Sequence, residues 1–475
     1  MGMSVSQGEH TPLDVLILAA GLGTRMRSSI AKVLHQLDGR PLINHVCRTA
    51  AALAPQKIYV VVGHQGEDVQ SAVLSELYEE QVEFVWQHKQ LGTGDAVNAA
   101  RELLQGSEST LLVLSGDVPM VRPETLAALI QHHHAHRGRG AACTVLTVKL
   151  KDPSGYGRVV RGDEGLFERI VEQKDATDDE RSIDEINAGI YCFQTEKLFA
   201  TLSKVQNENA QGEYYLTDVP GLLKAEGEDV AIYKHGESRE IEGVNNRVQL
   251  ADLERIVNRA TISKMMLDYG VSFIDSKNCR ISSEARIGRD TIIHPGVTIE
   301  GKSEIGDGCE IRAGTRITDS KIGYGSTILD NCLVINAEVG RNCTVGPMAH
   351  LRGHAVMAEN AKVGNFVELK NTKLGAGSKA SHLTYLGDAT IGEKTNIGAG
   401  TITCNYDGKN KHPTEIGNNV KIGSDTMLVA PVKVGDGAVT AAGSVVIEDV
   451  PADSLVAGVP AKVKKKFESD SGSGS

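Results

Sequence analysis

Ile287–Ile317 reads IGRDTIIHPGVTIEGKSEIGDGCEIRAGTRI, with isoleucine at 287, 293, 299, 305, 311 and 317. The spacing is six. A helix repeats every 3.6 residues and a strand every two, so neither alone produces it. Short strands separated by tight corners and stacked into a solenoid do. The count shortens by one and resumes at Ile322, Ile328 and Val334, resets at Val339 and Val345, and later runs through Ile416, Ile422, Leu428, Val434, Thr440 and Val446. Small side chains stand four residues after many of these, at Thr291, Val297, Ser303, Cys309, Thr315, Ser326, Cys332 and Cys343. Glycine often follows directly, at Gly288, Gly306, Gly323, Gly340, Gly392, Gly417, Gly423 and Gly435. The pattern predicts inward aliphatics, small residues at crowded corners, and glycines that tolerate an unusual backbone angle.

Outside the repeat the rhythm changes. Leu13–Ala20, Lys57–Gly63 and Thr110–Leu114 are apolar runs that read as buried strands, with helical stretches between them such as Gly94–Leu104. This is an α/β pattern, a mostly parallel sheet whose functional loops follow strand C-termini. Arg247–Tyr269 lacks Gly and Pro and reads as a long helix. The expected organisation is an α/β domain over 1–246, a linker helix over 247–270, the solenoid over 271–468 and a disordered Ser/Gly tail over 469–475. A length of 475 residues accommodates two or three domains.

The net charge of −11 argues against a protein that coats nucleic acid, but not against small anionic substrates held by local cations. Eight cysteines occur, none as C-x-x-C, and they read as reduced thiols of a cytoplasmic protein. There is no long apolar run to suggest a membrane partner, and the leading MGMSVSQGEH has no signal-peptide core.

The first chemical candidate is Leu16–Met26 (LILAAGLGTRM) with Lys32 beyond it. A strand runs into Gly21-x-Gly23, whose amides can face phosphate, and Arg25 and Lys32 supply positive charge. The loop lacks the dinucleotide and Walker signatures, and a structural turn with two solvated cations reads it equally well. Asp117 follows a strand in LVLSGDVP, a natural place for a metal-holding carboxylate or for a turn aspartate. Gln87, the QLGTG loop at 90–94, SGYGR at 154–158, Glu172, Asn187 and GVNNR at 243–247 are further polar clusters.

In this order the motifs resemble the sugar-nucleotide pyrophosphorylase family. The resemblance implies that Leu18, Ala19, Ala20, Gly21, Arg25 and Lys32 bind UTP and that Gln87, Gly92 and Thr93 read the uracil. It implies that Asp117 and Asn245 ligate Mg²⁺ and that Gly157, Glu172 and Asn187 hold an amino-sugar phosphate.

The second candidate lies where the hexads break. Ile397 and Thr403 keep register and Ile416 resumes it, so Asn405–Glu415 (NYDGKNKHPTE) loops out. His382 stands just before, in SHLTYLG, with Tyr385, Asn396, Tyr406 and Lys411 nearby. A lone histidine is more often structural than catalytic. Arg352, Lys362 and Lys370, a few coils earlier, are placed to clamp a phosphate.

With these residues the chain resembles the bacterial bifunctional N-acetylglucosamine-1-phosphate uridyltransferase/glucosamine-1-phosphate acetyltransferase family, over about residues 13–450. The resemblance implies a left-handed parallel β-helix, a homotrimer, and acetyl-CoA and UTP as substrates. In it His382 is the general base, and Arg352, Lys370, Tyr385, Asn396 and Lys411 bind the sugar phosphate. Asn405, Tyr406, Ser424 and Ala442 line the acetyl-CoA site.

Three features depart from that pattern. Gly353-His354 stands where the family has Pro-Gly, and no arginine for coenzyme A is evident near Gly458, where Lys462, Lys464, Lys465 and Lys466 follow. The lysines read as a flexible coenzyme contact or as a solvated basic tail. Gln131–His136 (QHHHAH) has no partner motif for metal binding. Two other readings remain: nucleotidyl transfer with the solenoid as a scaffold only, and a nucleotide-responsive regulatory module.

Overall fold

The computed structural model describes residues 11–162 and 165–466. The leading MGMSVSQGEH and the Ser469–Ser475 tail lie outside the described residues. The chain divides into two compact units, Met1–Leu253 and Glu254–Ser475.

In the first unit a mixed sheet runs Val230–Lys234, Cys143–Lys149, Glu185–Gln194, Thr110–Ser115, Leu13–Leu18, Lys57–Val62, Val82–Trp86 from edge to edge. Alternate residues of the central strands enter different cores. Val15 and Ile17 pack on one face, Leu16 on the other, which is why these strands read as continuous apolar runs. All pairings along this path are parallel except those of Glu185–Gln194, which runs antiparallel to both neighbours. Reversal brings the start of that strand, with Asn187, to the edge where the parallel strands end. The single helix expected over Gly94–Leu104 is two, Thr93–Asn98 and Arg101–Leu104, because the Ala100 backbone leaves helical geometry (φ −85°, ψ 1°).

The second unit is a left-handed parallel β-helix of three sheets with 12, 10 and 9 strands. Down the nine-stranded sheet Ile287, Ile305, Ile322, Val339, Met357, Leu374, Ile391, Ile416 and Val434 stack in register, all buried. The one-residue stumble in the hexads is a coil of 17 residues (Ile305 to Ile322) after one of 18 (Ile287 to Ile305). The small corner residues carry bonds as well as fit. Thr291 Oγ1 donates to the Gly306 carbonyl at 2.8 Å and accepts from the Cys309 amide at 3.1 Å. Cys309, Cys332 and Cys343 are buried, and burial raises each thiol pKa.

The glycines after the aliphatics have a different reason from the one expected. None has positive φ. A Cβ on Gly288, Gly306 or Gly323 would instead come within 2.5, 2.7 and 2.6 Å of the backbone of the next coil. The left-handed residue sits two positions on, at Asp290, Gly308, Gly325 and Asn342. Close approach of stacked corners, not backbone freedom, selects those glycines.

The helix Arg247–Asp268 straddles the division between units. Its second half closes the end of the solenoid. Ile262 and Met265 join the solenoid core, while Asn258 donates to the Cys279 carbonyl and accepts from the Ile281 amide, each at 2.9 Å. At the other end Lys462–Lys466, read as a flexible or solvated run, forms a strand antiparallel to Ser454–Ala457. Gln131–Ala135 ends the helix Pro123–Ala135, and its histidines do not converge: His133 Nδ1 pairs with Thr144 Oγ1 at 2.9 Å and His134 Nε2 with Thr110 Oγ1 at 2.8 Å. Among the described residues no group of three or more His, Cys, Asp or Glu is placed to hold a metal. No described helix is long and apolar enough to cross a membrane.

Two candidate active sites

In the first unit the loop after Leu13–Leu18 turns at Gly23 (φ 60°), where a Cβ would lie 2.6 Å from that of Lys32. Glycine therefore lets Lys32 pass beneath the loop. The Lys32 ammonium pairs with the Asp117 carboxylate and lies 3.4 Å from the Asn245 amide oxygen, which also accepts from Arg25 at 3.0 Å. Four residues from three distant segments thus meet at the strand ends. Gln65, which the sequence did not single out, pins the approach to Lys32: it accepts from the Ala31 amide at 2.5 Å and donates to the Ser29 carbonyl at 3.0 Å.

Gln87, 5 % exposed, gives its amide hydrogens to the Gly92 carbonyl (3.2 Å) and the Asp95 carboxylate (2.8 Å), so its side chain braces the 90–94 loop. A segment that was also not singled out, Tyr214–Leu216, locks that loop from the other side. The Gly94 amide donates to the Tyr214 carbonyl at 2.7 Å, and Thr93 Oγ1 accepts from the Leu216 amide at 3.0 Å. Gly157, Glu172 and Asn187 are neighbours: the Asn187 amide donates to the Gly157 carbonyl at 2.9 Å, and a Gly157 Cβ would sit 3.5 Å from Glu172 Oε1. Burial raises the Glu172 pKa, partly offset by the Thr217 hydroxyl bonded to it at 3.1 Å. Leu18 ends the central strand, and Ala19, Ala20 and Gly21 begin the loop that follows.

In the β-helix, strand register decides what is adjacent. Lys379, Asn396, Lys421, Val439 and Leu455 are partners on successive coils. Three residues further on, His382, Ala399, Ser424, Ala442 and Gly458 therefore share one corner. Asn365 pairs with His382 one coil earlier, and its amide oxygen lies 2.7 Å from His382 Nδ1. With that oxygen facing the ring, the neutral imidazole is the tautomer with its proton on Nδ1 and its acceptor lone pair on Nε2. Asn365 was not singled out from the sequence.

Lys370 and Tyr385 lie on the ten-stranded sheet with Arg352, whose guanidinium is held by Glu368 at 2.6 Å. Within one chain Lys362 and Asn396 do not join them. Both belong to the 12-stranded sheet, in the column of Lys379, because their side chains leave the coil on another face. The loop is 405–413, shorter than expected, since Thr414–Ile416 already forms a strand. It folds back on itself. Asp407 accepts from the Lys409 and Asn410 amides and pairs with His412, bonds that lower its pKa to about 2, and Tyr406 donates to the Gly408 carbonyl at 2.6 Å. The fold-back brings Lys411 against Lys370, whose ammonium lowers the Lys411 pKa. Two neighbouring ammoniums make a place for a dianion. His354, Asn371, Lys373, Asp388, Lys411 and His412 line the cleft there. The Gly353-His354 departure is two successive left-handed residues (φ 61° and 63°) at its rim.

Comparison with known proteins matches this division of labour. Residues 15–180 match the MobA-like NTP transferase domain, 273–380 the GMPPB C-terminal domain, and 413–448 six repeats of the bacterial transferase hexapeptide. The bifunctional protein GlmU of Halalkalibacterium halodurans is 46% identical, covering 93% of this chain and 94% of its own. Those of Syntrophomonas wolfei (46%; 93% and 96%) and Corynebacterium diphtheriae (45%; 93% and 91%) are similar to the same extent. The chain belongs to the bifunctional GlmU family. It is therefore a two-activity enzyme, uridyltransferase and acetyltransferase, and the scaffold-only and regulatory readings fall away. Within this GlmU-family chain Arg25, Lys32 and Asp117 lie inside the residues matched to the NTP transferase domain, Asn245 lies beyond them in the same unit, and the His382 corner is in the β-helix unit.

Proposed function

We propose that the β-helix site acetylates glucosamine-1-phosphate with acetyl-CoA and that the α/β site joins the product to UTP, giving UDP-N-acetylglucosamine and pyrophosphate for peptidoglycan and lipopolysaccharide synthesis in the cytoplasm. One observation carries this reading. The loop at 405–413 returns Lys411 to Lys370 and Asn405 to Asp388, so the solenoid bears a built cleft, which a scaffold has no need of.

In acetyl transfer the sugar amine attacks the thioester carbonyl, the C–S bond breaks, and coenzyme A leaves as its thiolate. His382 Nε2 takes the amine proton, and Asn365 keeps that nitrogen free for it. Lys370, Lys411 and Arg352 hold the sugar phosphate, with Tyr385 beside them. Acetyl-CoA lies along the shared corner over Ser424 and Ala442 toward Gly458 and the lysine strand; Asn405 and Tyr406, which follow a strand of the ten-stranded sheet at the next corner of the coil, reach it from a neighbouring copy of the chain. His382 and Gly458 are four coil steps apart, roughly 19 Å at ~4.8 Å per step.

In uridyl transfer a phosphate oxygen of the sugar attacks the α-phosphorus and the bond to the pyrophosphate oxygen breaks. The nucleophile is already anionic, so alignment and charge neutralisation dominate. Arg25 and Lys32 provide the positive charge, with Leu18–Gly21 along the nucleotide. Gly92, Thr93 and the braced Gln87 face the uracil, and Gly157, Glu172 and Asn187 the sugar. Asp117 and Asn245 present two hard oxygen atoms to one cation, the Lys32 ammonium, a donor set that suits Mg²⁺ completed by phosphate and water. When bound, the metal would neutralise phosphate charge.

A homotrimer is supported by a strained apolar stripe. Met348, Phe366 and Leu383 occupy left-handed corners (φ 54°, 57°, 48°) on successive coils and are 47%, 55% and 62% exposed. Bulky residues in that region cost about 1–3 kcal/mol each, and two further copies of this chain are the occupants that would use them.

A coupled assay with glucosamine-1-phosphate, acetyl-CoA, UTP and Mg²⁺ tests the reading, with coenzyme A thiol and pyrophosphate followed separately. Both should appear. Pyrophosphate without thiol, when N-acetylglucosamine-1-phosphate is added to the same complete mixture, would overturn the assignment of acetyl transfer to the β-helix cleft.

A further inference from the structure

We infer that Asp388 is a positioning residue for acetyl transfer: its carboxylate dictates which end of the Asn405 amide is presented to the reacting groups. This rests on the reading of the β-helix cleft as the acetyltransferase site.

Asn371, Asp388 and Asn405 follow the ends of successive strands in the ten-stranded sheet. Asp388 is left-handed (φ 51°), and its amide donates to the Lys370 carbonyl at 3.0 Å. Its Oδ1 accepts from Asn371 Nδ2 at 2.7 Å and its Oδ2 from Asn405 Nδ2 at 2.5 Å. An ionised carboxylate accepts and never donates, so each asparagine must turn its NH₂ group toward it. A neutral partner imposes no such choice, because an amide can meet either end of another amide. Asn405 is 7 % exposed and tied by its backbone to Thr403 and His412, so rotation of the amide is the freedom left to it. With Nδ2 committed to Asp388, Oδ1 is the end turned away from the carboxylate.

Electrostatics separates this role from phosphate binding. Burial favours the protonated acid, yet the two amide bonds and the ammoniums of Lys370 and Lys411 together lower the Asp388 pKa. A carboxylate beside two phosphate-holding lysines opposes the anion they attract. Its contribution is therefore not to sugar-phosphate affinity, and its loss should not weaken that affinity.

Asp388→Asn is the direct test. Asn371 holds the equivalent corner one coil earlier in the same left-handed geometry (φ 49°), so the substitution suits the backbone. In the full-length enzyme, acetyl-transfer kcat should fall roughly 10- to 100-fold. KM for glucosamine-1-phosphate should hold or fall, uridyl transfer by the same sample should stay within about twofold of the parent, and the far-ultraviolet circular dichroism should match the parent, showing that the β-helix is folded. An Asp388→Asn kcat within about twofold of the parent, or a KM that rises in step with the loss, overturns the inference. Asn405→Ala separates the two levels. If it leaves acetyl transfer intact, the reading of the cleft fails and takes this inference with it. If it cripples acetyl transfer while Asp388→Asn does not, only the role of Asp388 fails. The exchange Asp388→Asn with Asn405→Asp restores the bond with donor and acceptor reversed. Melting temperature should recover and kcat should not; recovery of kcat makes Asp388 a structural brace and overturns the inference.

Discussion

His382 Nδ1 lies 2.7 Å from the amide oxygen of Asn365, its register partner on the preceding coil. The pair decides the tautomer of the base. His382→Ala should slow acetyl transfer ~10²–10⁴-fold and leave pyrophosphate release from N-acetylglucosamine-1-phosphate intact. Asn365→Asp puts a carboxylate against the ring and favours the imidazolium, so the acid limb of the acetyl-transfer pH–rate profile should move to higher pH. An unshifted limb would remove Asn365 from the mechanism.

The two activities should separate genetically. Asp117→Ala removes one of the two oxygen donors that face Lys32 and should cut uridyl transfer at least ~100-fold, with coenzyme A release nearly unchanged. Loss of both activities would mean that the sites are not distinct.

The α/β unit should be acid-sensitive through His133. This ring is 1 % exposed, and burial, followed by the charges of His134, His136 and His132, lowers its pKa to about 3. An unfolded histidine protonates near pH 6.5. The unfolded chain therefore binds the extra proton first. The stability that neutral His133 confers is complete above about pH 6.5 and is lost as pH falls toward about 3, by up to ~1.4 kcal/mol per pH unit. His133→Gln should melt lower at pH 8 but with a shallower decline between pH 7 and 5. Parallel declines would assign the acid sensitivity elsewhere.

Assembly should depend on the Met348–Phe366–Leu383 stripe. Asparagine tolerates left-handed geometry, so Phe366→Asn with Leu383→Asn removes the apolar contact without unfolding the coil. Light scattering should show dissociation to the monomer, with acetyl transfer reduced and uridyl transfer retained. A trimer with both substitutions would place the interface on another face.

The strand Lys462–Lys466 pairs with Ser454–Ala457 just past Gly458, so truncating it would expose a sheet edge as well as remove charge. Charge removal alone is the cleaner test. Lys462→Gln with Lys464→Gln should raise the acetyl-CoA KM and flatten its salt dependence, because the Debye length shrinks from ~10 Å at 0.1 M to ~3 Å at 1 M. KM for UTP should not move. An unchanged acetyl-CoA KM would leave these lysines as an edge cap.

The hexads of Ile287–Ile317 declare a solenoid because the inward contact recurs at short range, six residues apart, whatever the rest of the chain does. Arg25, Lys32, Asp117 and His382 were legible for a similar reason: each is a chemically pointed residue beside a recognisable strand end or loop. Asn365 and Asp388 were not. In the sequence Asp388 looks like Asn331, Asn342 and Asn360, ordinary left-handed corner residues of other coils, and Asn365 like any asparagine at the end of a short strand. What distinguishes them is the neighbour one coil away, and that depends on whether each turn takes 17 or 18 residues and on where the 405–413 loop leaves the stack. Register also sent Lys362 and Asn396 to a different face from Lys370 and Tyr385, although along the chain they are close. Local periodicity determines that the chain coils. Only the completed stack, through hydrogen bonds between residues about 17 apart in sequence, decides which side chains meet.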